Sequence, residues 1–110
     1  MAMALKILGS AEPASVDTYE TLYTVPASTQ CVGNILALNK DTAAKTIRVG
    51  RGDGTDTAPD NDKIYAYDYS IPTIGTWEKT RVCMTAGDKI FIRASSTSVN
   101  FIFEGDERSL

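Results

Sequence analysis

Thr85-Ala86-Gly87-Asp88-Lys89-Ile90-Phe91-Ile92-Arg93-Ala94, then Ser95-Ser96-Thr97-Ser98, then Val99-Asn100-Phe101-Ile102-Phe103, reads as turn, strand, loop, strand. Thr85 to Asp88 is the turn, because Gly87 can adopt the positive φ that tight turns require. In the closing run Val99, Phe101 and Phe103 share one parity, which places them on a core-facing side. Two strands joined by a short polar loop, with no 3.6-residue apolar period, point to an all-β protein.

The same grammar continues upstream. Trp77 to Met84 is a candidate strand. Lys63 to Tyr69 alternates, so period two puts Tyr65, Tyr67 and Tyr69 on one face and Ile64 and Ala66 on the other, before Ile71-Pro72 ends the run. Thr46-Ile47-Arg48-Val49 alternates with Ile47 and Val49 inward, after a turn at Lys40-Asp41-Thr42. Gln30 to Asn39 has apolar residues of both parities, as expected of a central strand covered on both faces. Tyr19 to Val25 is the first full strand, and Pro26 stops it because proline has no N–H for the ladder. Residues 51–62 lack periodicity and read as a long solvated surface loop. Residues 1–17 read as an N-terminal arm, and 104–110 as a charged C-terminal tail that frays or docks on a partner. The expectation is a single domain over 1–110, an antiparallel, jelly-roll-like β-sandwich of about seven or eight strands. Strand count alone does not separate a jelly roll from an immunoglobulin-like order.

Composition narrows the chemistry. The 110 residues are 43% hydrophobic and 23% charged, ordinary for a folded domain. Eleven Lys and Arg against 14 Asp and Glu give a net charge of -3, which argues against a nucleic-acid partner. The absence of histidine removes the commonest general base and metal ligand. The longest aliphatic run, Ile35 to Leu38, is far short of the ~20 apolar residues of a membrane-spanning helix. Lys6 interrupts the short apolar stretch at the N-terminus, so no signal peptide is expected. Cys31 and Cys83 match no zinc spacing and read as two small buried apolar residues; they could pair only if their strands packed face to face.

Few residues stand out as site candidates. No catalytic residue, cofactor or resident metal is expected, because no nucleophile has a positioned base and Gly50, Gly52 and Gly54 lack the context of a phosphate loop. Asp53, Asp56, Asp60 and Asp62 crowd one loop and are candidate ligands for a hard cation, although their spacing fails the helix–loop–helix calcium pattern. Asp is equally at home in such a loop as a turn former. Arg51-Gly52-Asp53 is the tripeptide animal integrins recognise on an exposed loop, and reads more simply as a turn with a flexible glycine. Tyr65, Tyr67, Tyr69 and Trp77 are the interface candidates, since aromatic rings supply contact area to partners or sugars; the same row also reads as a second covered sheet face inside the sandwich.

Three stretches, taken together, resemble a known group: Thr21-Leu22-Tyr23-Thr24-Val25-Pro26-Ala27; Ile64 to Pro72; and Thr85 to Ser95 with Val99-Asn100-Phe101. Their order resembles small virion structural proteins of tailed bacteriophages, in which a strand ending "LYTVPAG" opens a β-sandwich and an "AGDxIxVxAS…VxFxxxG" hairpin closes it. Gly105 stands at about the expected place; Ser28 stands where glycine is commoner, and residues 51–62 look like an insertion. The resemblance implies a virion component, such as a capsid decoration, cement, neck or tail-associated protein. It would work by self-association, for instance as a trimer, and by packing on major capsid or tail proteins. The competing reading is a carbohydrate- or receptor-binding module at a fibre or particle surface. A small hydrolase is a distant third, given the missing histidine.

Overall fold

The computed structural model describes residues 5–109. They form β1 (Leu5–Ala11), β2 (Glu20–Thr24), β3 (Thr29–Asn39), β4 (Lys45–Asp53), β5 (Ile64–Ile71), β6 (Thr76–Thr85), β7 (Asp88–Ala94) and β8 (Val99–Ser109). One sheet has the order β1-β8-β3-β6 and the other β2-β7-β4-β5, with all neighbours antiparallel. The first strand pairs with the last, the second with the seventh, the third with the sixth and the fourth with the fifth. A long hairpin bent between β4 and β5 and rolled across two sheets has this order, which is that of a jelly roll.

The core fills the space between the sheets. Ile35 and Ala37 of β3, Ile47 and Val49 of β4, Ile90 and Ile92 of β7, and Val99, Phe101 and Phe103 of β8 are each at most 1% exposed. All come from the four central strands, so the alternation read in Thr46–Val49 and Val99–Phe103 is the inward face. Burying each large side chain contributes roughly 1.5–3 kcal/mol. At the corner after β3, the fully buried Asn39 amide donates to the carbonyls of Ile71 and Ala43, both at 2.9 Å, so β3, β5 and the turn are tied by one side chain.

Four expectations from sequence are corrected. Residues Leu5–Ala11 of the expected arm are an edge strand on β8; residues 1–4 lie outside the described residues. A bulge between Ile7 and Gly9 hides this strand's alternation, turning Leu8 and Ala11 to the core and leaving Ile7 60% exposed. Most of the expected charged tail continues β8 to Ser109, and Leu110 is outside the described residues. Its charges are held by side-chain partners: Tyr23, from β2 of the other sheet, donates its hydroxyl hydrogen to Glu107, and buried Asp106 pairs with Arg108, two residues on in the same strand, at 2.6 Å. β3 is central as expected, but its outward side is only partly covered, with Val32 41% exposed. β4 runs through Asp53, so Arg51-Gly52-Asp53 is strand and not loop.

The remaining loop, residues 54–63, folds back over the outward side of β4. Asp60 N–H donates to the Arg51 carbonyl and Arg51 N–H to the Lys63 carbonyl, both at 3.0 Å. Beneath it lies Phe91, which points away from the inner core yet is only 1% exposed. A Cβ on Gly52 would stand 3.0 Å from the Phe91 ring, 2.8 Å from the Asp56 carboxylate and 3.3 Å from the Ala58 carbonyl. The loop and the ring thus meet on a bare glycine backbone and form a small second core.

Every edge strand is bulged. β1 has an extra residue between Ile7 and Gly9, β2 between Thr21 and Tyr23, β5 opposite Arg48 and again at Tyr65, and β6 between Lys79 and Val82. The central pairs β3·β8 and β4·β7 run without a shift. Asp68 in β5 and Arg81 in β6 hold φ of 52° and 58° at these bulges, and the Arg81 N–H donates to the Asn34 side chain at 3.1 Å. A bulged edge twists its free N–H and C=O groups out of line, which blocks strand addition from a second molecule.

Candidate functional site

The outward side of the second sheet carries a polar–aromatic cluster. Ile47 and Val49 are buried, so Arg48 between them points outward. The bulge in β5 places both Tyr67 and Asp68 opposite it. Arg48 Nε and Nη2 donate to the two carboxylate oxygens of Asp68 at 2.7 and 3.0 Å, a bidentate pair. The same guanidinium lies 4.0 Å from the centre of the Tyr67 ring. Its hydrogen bonds to Asp68 push Arg48 above its ordinary range and hold Asp68 below the usual carboxylate range. Across the strand from Arg48 stands Arg93, whose guanidinium is 5.5 Å from the Tyr19 ring. Tyr19, Arg48 and Tyr67 form one side of a cleft of about 590 Å³, and the loop residues Pro59 and Asn61, with Ile64, form the other. That volume is within the usual range for ligand pockets, roughly 300–1,000 Å³.

The aromatic candidates separate. Tyr67 is 63% exposed and joins the cleft, and Tyr69 is exposed beyond the bulge. Tyr65 turns the other way and packs against the core, because the register shifts between Val49 and Gly50. Trp77 belongs to the other sheet, opposite Ala37, and also packs on the core. The expected single tyrosine face is therefore broken by two bulges.

The acidic candidates do not converge. The Asp56 carboxylate accepts from the Asp53 N–H at 2.9 Å and closes the turn after β4. Asp60 and Asp62 both pair with Lys63, at 3.4 and 3.3 Å. Among the described residues, no three His, Cys, Asp or Glu side chains form a group suited to a metal ion.

Arg51 reaches inward and joins the sheets. Its guanidinium donates to the Cys83 carbonyl of β6 and the Asp88 carboxylate of β7, both at 2.8 Å, and stands 3.4 Å from the Tyr65 hydroxyl. The tripeptide that sequence singled out is thus committed to the fold. Nearby, Tyr23 and Glu107 lie between the sheets; burial first, then its bond to Glu107, pushes the Tyr23 hydroxyl above its ordinary value.

The two cysteines differ. Cys31 faces the core, but Cys83 is exposed on the outward side of the same sheet, against the expectation that both are buried. Cys83 pairs in register with Val32, the neighbour of Cys31, so the two thiols leave the sheet on opposite sides and are free. Burial, reinforced by Glu107, pushes the Cys31 thiol up to about 11, so it is not a thiolate at neutral pH. A thiol reagent at pH 8 is expected to label one cysteine quickly in the folded protein and both after denaturation. Rapid labelling of two in the native state would contradict this placement.

Arg48, Asp68, Tyr19 and Arg93 escaped the sequence reading. Arg48 was visible as the outward position of an alternating strand, but its partners come from cross-strand register, which local pattern does not encode.

No protein-family model and no curated protein matches the sequence. Among solved structures, two crystal structures of a pentameric capsid protein isolated from metagenomic phage sequences are similar, with TM-score 0.37 and 21% identity. The match covers 96% of this chain and 64% or 65% of those chains, so this protein spans less than two-thirds of their length. At that score the fold assignment rests on the strand order and register themselves.

Proposed function

We propose that the protein is a structural component of a tailed-phage particle that works by packing its sheet faces against copies of itself and a larger shell. The observation that carries this reading is that the first and third virion-like segments are hydrogen-bonded to each other, with the second at the far edge of the same sheet. β2, from the first segment, pairs with β7, from the third. Beyond β2, Val25 N–H donates to the Asp88 carbonyl at 2.9 Å and Gly87 N–H to the Val25 carbonyl at 3.0 Å. Phe101 and Phe103 follow in the core. The residues behind the resemblance thus build the sandwich, as a packing protein requires.

The bulged edges direct association to the faces. On the outward side of the first sheet, Ile7 and Val32 are exposed beside half-buried Leu36 and Ile102, which are cross-strand partners. This mixed face, on which Ile7, Val32, Leu36 and Ile102 alternate with Asn34, Glu104 and Asp106, is the self-association surface in the proposal, with the trimer as the expected state. Light scattering after size exclusion should give a mass of three or more chains, and Val32→Asp should return the protein to monomer while Tyr67→Ala leaves the oligomer intact. A wild-type monomer at high concentration would overturn self-association. Dissociation by a chelator would revive an ion at Asp53, Asp56, Asp60 or Asp62.

A further inference from the structure

Arg48 and Arg93 are directly opposed cross-strand partners on the outward side of the second sheet. Like charges in this register oppose folding, so packing alone gives no reason for the pair. Asp68 answers half of it, by engaging Arg48 through both carboxylate oxygens. Among the described residues no carboxylate forms an ion pair with Arg93, whose guanidinium rests over Tyr19 with its donor fork uncommitted. Two guanidiniums and one carboxylate leave one positive charge beside the cleft, in a chain of net charge -3. The nearby loop acids Asp60 and Asp62 share the single charge of Lys63, so the loop keeps one negative charge, which is directed toward solvent at Asp62, 83% exposed.

We propose that this cleft binds an acidic saccharide, a pyranose that carries a carboxylate. Tyr67, 63% exposed, offers a ring for the C–H face of a sugar, and Pro59 and Ile64 give the apolar opposite wall. Asn61 offers both donor and acceptor to hydroxyls, and Asp68, outside the lining, fixes the Arg48 guanidinium at the cleft wall. Arg93 stands just outside the lining, next to Tyr19 and opposite Arg48, and is the bidentate donor for a carboxylate that projects past Tyr19, a task that guanidinium geometry suits better than an ammonium. The Arg48–Asp68 pair is set before binding, so little ordering is left for the ligand to drive. This site is on the sheet face opposite the proposed self-association surface, and the two readings stand or fall separately.

The test is an NMR titration of the full chain with trigalacturonate and sialyllactose, each beside its neutral counterpart, galactotriose and lactose. At least one acidic sugar should bind about tenfold tighter than its neutral counterpart, the size of one charge-assisted contact. The shifts should map to Tyr67, Arg48 and Arg93. Arg93→Gln should abolish that preference with a melting temperature unchanged or raised, because one member of the like-charge pair is removed. Tyr67→Ala should weaken binding by up to about tenfold, and Tyr67→Phe should restore it. Binding by neither acidic sugar, equal binding of the neutral sugars, or shifts elsewhere on the surface would overturn the proposal.

Discussion

Gly105→Ala is expected to remove much of the protein's stability. Gly105 of β8 stands directly opposite Gly33 of β3, on the two central strands of the first sheet. A Cβ at Gly105 would lie 2.1 Å from the Val32 carbonyl oxygen and 2.5 Å from the Gly33 α-carbon. Both are backbone atoms of a continuous ladder, so neither can yield without breaking strand pairing. The position opposite is as crowded, since a Cβ on Gly33 would meet the Glu104 carbonyl at 2.5 Å and the Phe103 ring at 2.8 Å. Overpacking of this kind costs about 3 kcal/mol or more, out of the roughly 5–15 kcal/mol that holds a domain together. At about 4 °C per kcal/mol, the melting temperature should fall by about 12 °C or more. Gly54→Ala is the control: φ there is 59° but nothing lies within 4 Å, so only backbone strain of about 1–2 kcal/mol is expected. If the two variants melted together, the close approach of β3 and β8 would be wrong.

Phe91→Ala should be nearly as damaging, although Phe91 is outside the main core. The ring is 1% exposed beneath the 54–63 loop, so truncation leaves a cavity of phenyl size with the loop as its roof. Removing a buried Phe costs about 3–5 kcal/mol. The loop should then lose its seat, and protease cleavage within residues 54–63 should become faster in the native buffer. Phe103→Ala, in the main core, should lower stability by a similar amount and leave that loop protected. A cost within about 0.5 kcal/mol for Phe91→Ala, the usual range for surface positions, would mean that the loop is solvated after all.

These two variants mark where sequence was informative. Ile47, Val49, Val99, Phe101 and Phe103 were legible as inward residues because alternation is local and the core face follows from it. Gly105 was visible as a motif position, yet its steric role depends on Gly33, more than 70 residues away in the chain. The 54–63 loop looked solvated because its own residues are polar, and what it covers is contributed by another strand. β1 was missed because its bulge breaks the alternation that would have revealed it. The tyrosine row failed for the same reason, since each bulge in β5 turns the following side chains to the other face. Arg51 lost its adhesion reading once β4 was seen to extend through it, toward Asp88 and the Cys83 carbonyl.

By itself the sequence determined the class: all-β, strands separated by polar turns, a core-facing parity in the central strands, and no histidine. Those properties follow from period-two patterning, turn chemistry and composition, all readable within a few residues. Only the tertiary structure decided the jelly-roll order, the bulges that close the edges, and the meeting of Arg48, Asp68, Tyr67 and Arg93. Each of these depends on which distant strands become neighbours and in what register. That choice is made by packing two sheets around one core, where a shift of a single residue moves every side chain to the opposite face.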